Sequence, residues 1–304
     1  MNILITGATG MIGKRLVAAL LKKNHSITVI SRSVDKTRST LGTAVKTITW
    51  NELSQLDPTS INAVINLAGE NIANHRWSAT IKQTILNSRV VAAQTLAAWL
   101  SNTRSDIHWY NASAISFYGL TRHFANAAKN TEMTMPLISS QHSFLQYVAQ
   151  QCEQATESHN SHIKVTDLRL APVLQHNAGM LKKITPIFKM GLGGPLGSGL
   201  QPFSWIHIED TVRAIVFLLE HPNLTGPVNL CSPTAVTQKE FAKAFAKSLH
   251  RPAILPTPEC FLKLAYGQMA DELLLQGTHA YPEKLIAAHF EFLYPTLQSV
   301  FAKG

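Results

Sequence analysis

Cysteine is scarce in this chain. Cys152, Cys231 and Cys260 lie far apart and in no metal-ligand spacing, which points to reduced thiols in a cytoplasmic setting with no bound metal. Also missing is any apolar run near the roughly 18 residues needed to span a bilayer. A strand-like run already opens at Asn2, leaving no room for a signal peptide. The expectation is a soluble, cytoplasmic protein with no membrane partner. Charge is moderate: charged residues make up 15% and hydrophobic residues 45%, with a net charge of +9. Those proportions describe an ordinary globular chain. The basic residues are scattered, with no run of five or more, so nucleic acid is not expected. An anionic cofactor or substrate accounts for part of the surplus.

Repeats and low-complexity segments are absent too, and what stands in their place is alternation. Strand-like runs at 2–6, 26–30, 45–50, 63–68, 107–112 and 164–170 are separated by helical ones, among them a helix to about Lys23, a long one from Trp77 to Leu100 and another from about Ser143. Such βαβ alternation predicts an α/β fold, a Rossmann-like doubly wound parallel sheet with ligands at the carboxyl ends of the strands. After Pro172 the character changes. A glycine-rich stretch, 191–199, precedes Trp205–Asp210 and a helix to about Glu220. Then come a short strand near 228–231 and helical runs near 237–249 and 259–275. The reading is a dinucleotide-binding domain over 1–175 and a smaller C-terminal, substrate-side region over 176–304, with segments returning to the main sheet.

The first strand ends in Gly7-Ala8-Thr9-Gly10-Met11-Ile12-Gly13, and an amphipathic stretch follows at once. Gly7 suits a tight turn, Gly10 lets backbone approach phosphates, and Gly13 lets the helix pack close to the strand. The free N–H groups and positive end of that helix then face an anion. A pyrophosphate site at Gly7, Thr9, Gly10, Met11, Ile12 and Gly13 is the result. The second strand ends in Ser31-Arg32-Ser33, where NAD-selective sites carry an acid for the ribose 2′-hydroxyl. Here no carboxylate stands. Arg32 can grip a 2′-phosphate with charge-assisted bonds, so NADP(H) is the expected cofactor; Asp35 comes three residues too late to change that.

Asn66–Asn71 closes the fourth strand, at the rim a dinucleotide crosses. Leu67 and Ala68 can line the cofactor, Gly69 allows close backbone approach, and Glu70 is a polar candidate facing a substrate. Arg76, opening the long helix, can contact an acidic substrate. Arg89 falls in the helix's apolar stripe with Ile81, Ile85, Ala92 and Leu96. An inward charge there needs a partner, either a cofactor phosphate or ribose or a buried carboxylate.

Ser113-Ala-Ile-Ser-Phe-Tyr-Gly119 ends the fifth strand. It places Ser113, Ser116 and Tyr118 where a hydroxyl can bond a reacting carbonyl or alcohol. For His207 and Asp210 the structural reading is preferred over an acid–base pair: Asp210 as a helix cap and His207 on a strand supporting the loop. The glycines of 191–199 suggest a loop over the substrate.

Together these residues resemble the extended short-chain dehydrogenase/reductase superfamily of NAD(P)-dependent sugar-nucleotide epimerases and dehydratases, and within it the epimerase family protein (YfcH-like) branch. The resemblance runs from Met1 to about Leu297 and rests on 7–13, Ser31-Arg32, 66–71, Arg76-Trp77, Ser88-Arg89, 191–199, 205–210 and 290–295. It implies that Ser31, Arg32, Leu67, Ala68 and Arg89 contact NADPH. The superfamily places a Tyr and a Lys four residues apart on the helix after the serine strand. Registering that helix on Glu153 puts Leu145 and Ala149 at those places.

Two functions follow from this reading. One is an NADP(H)-dependent oxidoreductase or epimerase-like enzyme acting on a small molecule, with Ser113 orienting the reacting oxygen and Tyr118 donating the proton. The other is a redox-sensing protein that holds NADPH without turning it over. A homodimer through the helices beside the sheet is compatible with either.

Overall fold

The computed structural model describes residues 1–136, 143–157 and 160–302. Its centre is a seven-stranded parallel sheet of β1 (Asn2–Thr6), β2 (Ser26–Ile30), β3 (Lys46–Ile48), β4 (Ala63–Asn66), β5 (Ile107–Ala114), β6 (Ile163–Leu170) and, at the edge, β10 (Val228–Leu230). The spatial order is β10-β6-β5-β4-β1-β2-β3, with β1 paired to both β2 and β4. The chain winds outward from β1 in one direction, then restarts at β4 in the other. That reversal opens a crevice at the carboxyl ends of β1 and β4.

Alternation along β1 builds two cores. Ile3 and Ile5 pack with Leu16, Leu20, Ile65 and Ile215 under α1 (Met11–Lys22) and α6 (Ile208–Glu220), while Leu4 packs with Val64, Leu96 and Trp109 under α3 (Ala79–Leu100). All three β1 side chains are fully buried, each contributing about 1.5–3 kcal/mol by leaving water. α4 (Phe144–Gln154) extends the α3 layer, with Val148 and Cys152 against Ile85.

Helix starts follow their capping chemistry. The Ser78 side chain accepts from the Ile81 N–H, so α3 begins at Ala79 rather than Trp77. Ser33 likewise caps α2 (Val34–Leu41), a helix whose mean hydropathy is too low for apolar periodicity to reveal it. The third strand is shorter than the 45–50 run: Thr49 and Glu52 form a capping box that turns Trp50–Gln55 into a 3-10 helix.

Beyond the sheet proper, α5 (Gly179–Lys189) and the two-residue strands β7 (Val173–Leu174), β8 (Pro202–Phe203), β9 (Ile206–His207) and β11 (Val236–Thr237) surround α7 (Gln238–Ser248). The helical run at 259–275 is broken at Gly267, which has a φ of +57°. It becomes α8 (Glu259–Tyr266) and α9 (Gln268–Leu273), and α10 (Glu283–Ala287) and α11 (Leu297–Phe301) follow. No helix among the described residues is long and apolar enough to cross a membrane.

Candidate functional site

The turn after β1 leaves no room for a side chain at Gly7 or Gly13. Gly7 has a φ of +68°, and a Cβ there would sit 2.3 Å from the Leu67 carbonyl oxygen. A Cβ on Gly13 would lie 2.4 Å from the Gly7 oxygen. The Gly10 N–H donates to that same oxygen at 3.0 Å, closing the turn. α1 then starts at Met11 with no side-chain cap and no acid in its first turn. Its leading N–H groups and positive dipole end are left to an anion. Met11 and Ile12 are partly buried, and the Met11 thioether packs beside Gly179 at the start of α5.

A cleft of about 600 Å³ opens from this turn, lined by Gly7, Thr9, Gly10, Ser31, Arg32 and the whole of 67–70. Trp50, Asn51, Val91 and Thr95 continue its wall. Sequence reading did not single out these four, because only the 3-10 turn and the α3 packing bring them to β2. A second hollow, of about 440 Å³, lies at the opposite ends of the strands around Asn2 and Ser26. It touches none of the candidate residues.

Ser31 is held by its own loop: its hydroxyl donates to the Ser33 carbonyl at 3.0 Å, and its N–H donates to Ile48 at 2.9 Å. Arg32 is exposed beside it and forms no ion pair among the described residues.

The 66–70 segment is fixed from below. The Thr6 hydroxyl donates to Asn66 Oδ1 at 2.5 Å, and Asn66 Nδ2 donates to Asn111 Oδ1 at 2.7 Å. The Ala68 N–H reaches both Thr6 and Asn66. The Glu70 N–H donates to the Ser88 hydroxyl at 2.9 Å, leaving the partly buried Glu70 carboxylate at the cleft wall. Arg89 lies directly against Gly69, with Cζ 3.0 Å from the position a Cβ would take. Its Nη1 donates to the Ile85 carbonyl at 3.0 Å. Burial pushes its pKa down, with Cys152 and Glu70 opposing. No carboxylate is ion-paired with it among the described residues.

Behind the fifth strand lies a polar cluster that sequence reading foresaw only at its edges. Ser113 donates to Glu153 Oε1 at 2.7 Å. Arg169, on β6, clamps the same carboxylate through Nε at 2.8 Å and Nη2 at 2.7 Å. Its Nη1 donates to the Tyr118 hydroxyl at 2.9 Å, which in turn donates to Asn229 Oδ1 at 2.8 Å. The Phe117 ring covers the guanidinium at 3.6 Å. Tyr118, expected at the rim as proton donor, is instead 1% exposed with its hydroxyl engaged on both sides. Burial raises its pKa, and the Arg169 charge only partly offsets that. The physical reason is the 3-10 turn at 115–118, which folds the ring back under β10. Ser116 also faces inward, donating to the Leu145 carbonyl.

Asp167, next on this face, is pushed up to about 7, first by burial and then by the Glu153 charge. On α4, Leu145 is partly buried and Ala149 buried. Tyr147 is 44% exposed on another face.

His207 lies on β9, as expected, but the cap is His207 rather than Asp210, its Nδ1 accepting from the Glu209 N–H at 3.3 Å. Asp210 is fully buried and accepts the N–H groups of Leu293 and Tyr294, both at 2.8 Å, so it ties the C-terminal segment down. Arg76 is exposed, its guanidinium beside Gly267 at the α8–α9 junction. The 191–199 stretch is packed rather than open. A Cβ on Gly193 would strike the Phe188 ring, and one on Gly194 the Leu255 carbonyl.

Residues 3–231 match the NAD dependent epimerase/dehydratase family. The chain belongs to that family. Residues 257–303 match a second one, a domain of unknown function (DUF1731). This epimerase-family chain is similar to the epimerase family protein Mb2239 of Mycobacterium bovis, 37% identical over 298 residues that cover 96% of this chain and 94% of the relative. It is 30% identical to the Bos taurus epimerase family protein SDR39U1, covering 98% and 97% of the two chains. The crystal structure of human SDR39U1 with NADPH superposes with a TM-score of 0.88 at 29% identity, covering 100% of this chain and 98% of that one. The Rossmann-like α/β fold expected from the alternation is therefore the fold of a solved relative.

Proposed function

We propose that this protein binds NADP(H) in the cleft at the β1–β4 switch point and acts as an oxidoreductase or epimerase-like enzyme on a small carbonyl or alcohol substrate. The observation that carries the reading is a pair of cations, Arg32 at the tip of β2 and Arg89 under Gly69, neither of which forms an ion pair among the described residues. A dinucleotide with a 2′-phosphate supplies the missing anions. The residues fit such a group: the uncapped α1 terminus faces an anion, and a Cβ at Gly10 would meet only the Gly7 oxygen, so that side of the turn is open to phosphates. The NADPH in the human SDR39U1 structure supports the same choice.

Within this proposal Thr9, Gly10 and the first turn of α1 hold the phosphates. Arg32 takes the 2′-phosphate, with Ser31 shaping its loop, and Leu67 and Ala68 flank the cofactor. Glu70 and Arg76 stand on the substrate side. When bound, the nicotinamide supplies or accepts the hydride. Ser113 gives its own proton to Glu153, so its oxygen offers lone pairs and orients a substrate hydroxyl as an acceptor. Tyr118 can exchange a proton only after release from Arg169 and Asn229.

Leu145 and Ala149, where the superfamily resemblance puts a Tyr and a Lys, favour a second reading. In it the same cleft holds NADPH as a redox signal without turnover. Titration with NADPH and NADH, wild type beside Arg32→Ala, followed by nicotinamide fluorescence, tests the shared premise. NADPH binding that collapses in the variant is the expected result; no binding of either nucleotide at micromolar levels overturns both readings. Steady NADPH consumption with any member of a carbonyl panel then selects the enzyme.

A further inference from the structure

The α8 side of the molecule carries an apolar face that neither the cleft nor the core uses. Sixteen large apolar side chains are exposed among the described residues, and nine of them fall within 187–200 and 254–266. Ile254 and Leu264 are each 77% exposed, Met190 66% and Phe261 65%. These positions form one surface because their segments are bonded together. Arg251 Nε donates to the Lys189 carbonyl at 2.8 Å. Residues 195–197 and Thr257 exchange backbone hydrogen bonds of 2.8 and 2.9 Å. On α8, Leu262 turns inward against Ala270 and Leu275, which leaves Phe261 and Leu264, three residues apart, on the outer side.

Away from α8 and α9, the charge around this face is positive. No Asp or Glu occurs from 168 to 208 or from 241 to 258. Those two segments carry Lys182, Lys183, Lys189, Lys243, Lys247 and Arg251, all exposed. The acid that opens α8, Glu259, is paired with Arg122 and Lys263. Exposed apolar anchors on segments that also carry exposed cations match an anionic lipid surface, where acyl chains take the former and headgroups the latter. A second copy of this chain fits less well, since a two-fold interface would set the same cations against themselves.

We propose that this face docks the protein peripherally on an anionic lipid surface, with Phe261, Leu264, Ile254 and Met190 entering the headgroup boundary. The sequence-based expectation of no membrane partner rested on the absence of a spanning run, and peripheral docking needs none. The face is also tied to the cleft. Lys82 of α3 donates to Gln268 at 3.0 Å, and Arg76 lies beside Gly267, so docking orients the substrate side of the site relative to the bilayer.

The test is co-sedimentation of the full chain with vesicles of phosphatidylcholine alone and of phosphatidylcholine mixed with phosphatidylglycerol, at low and high salt. The expected result is binding to the anionic vesicles only, weakened by salt. Phe261→Glu/Leu264→Glu should reduce partitioning roughly a hundredfold with an unchanged thermal transition. Lys189→Glu/Lys247→Glu should abolish the preference for anionic vesicles. Cys260 is exposed while Cys152 and Cys231 are buried, so an environment-sensitive fluorophore on Cys260 should shift to the blue on binding. Protein that stays in the supernatant overturns the proposal. So does equal, salt-insensitive binding to both vesicles, or a dimer in sedimentation velocity that the apolar double variant dissolves while vesicles bind neither form. NADPH affinity reads the cofactor site separately, and its failure leaves this result intact.

Discussion

Gly69 and Arg89 occupy one another's space: the guanidinium carbon lies 3.0 Å from where any Cβ at position 69 would stand. That contact presses a cation with no ion pair among the described residues against the rim backbone. Gly69→Ala should displace the guanidinium without touching a buried apolar group. The expected outcome is NADPH affinity lowered by about tenfold, the scale of one lost charge-assisted bond, with stability nearly unchanged. Parallel fluorescence titration and thermal unfolding check it, and Arg89→Ala should give the same loss.

Cofactor choice should turn on Arg32. It is exposed at the end of β2 and engages no acid among the described residues. Arg32→Asp should repel a 2′-phosphate and offer the ribose hydroxyls an acceptor. Its NADPH-to-NADH affinity ratio should fall by roughly a hundredfold or more. An unchanged ratio would show that the 2′-phosphate lies elsewhere.

Asp167 makes stability depend on pH in an unusual direction. Its folded pKa of about 7 lies above the unfolded value of about 3.9, so the folded state holds a proton that the unfolded state has released. Stability therefore falls as pH rises through this window and levels off above it. Asp167→Asn removes the effect. The variant should match wild type near the low end and exceed it by on the order of 1–3 kcal/mol above the folded pKa, in guanidinium unfolding series at acidic and mildly alkaline pH. Equal differences at both ends would refute the assignment.

Asp210 is the anchor for the last stretch of chain. Removing its fully buried carboxylate leaves the N–H groups of Leu293 and Tyr294 without their acceptor and Arg213 without its ion pair. Asp210→Ala should cost about 2–4 kcal/mol. Hydrogen exchange should quicken first at 293–294, with the cleft's NADPH affinity little changed.

The sequence alone was enough for the Rossmann-like doubly wound sheet and the glycine turn, because these rest on signals a few residues long. Strand-to-glycine-to-helix spacing, β-branched runs and apolar stripes are local. The role proposed for Ser31-Arg32 rests on a local signal too, their distance along the chain from the glycines. Short elements escaped wherever capping or a break outweighed periodicity, as at α2 and at Gly267. Tertiary structure alone decided what the polar side chains of β5 do. Nothing near Tyr118 in sequence says that Arg169, 51 residues on, and Asn229, 111 residues on, will enclose its hydroxyl. The pairing of His207 and Asp210 with their actual partners, and the gathering of nine apolar side chains into one face, were decided the same way. Burial and charge pairing are properties of neighbours in space, and the chain folds those neighbours together from distant segments.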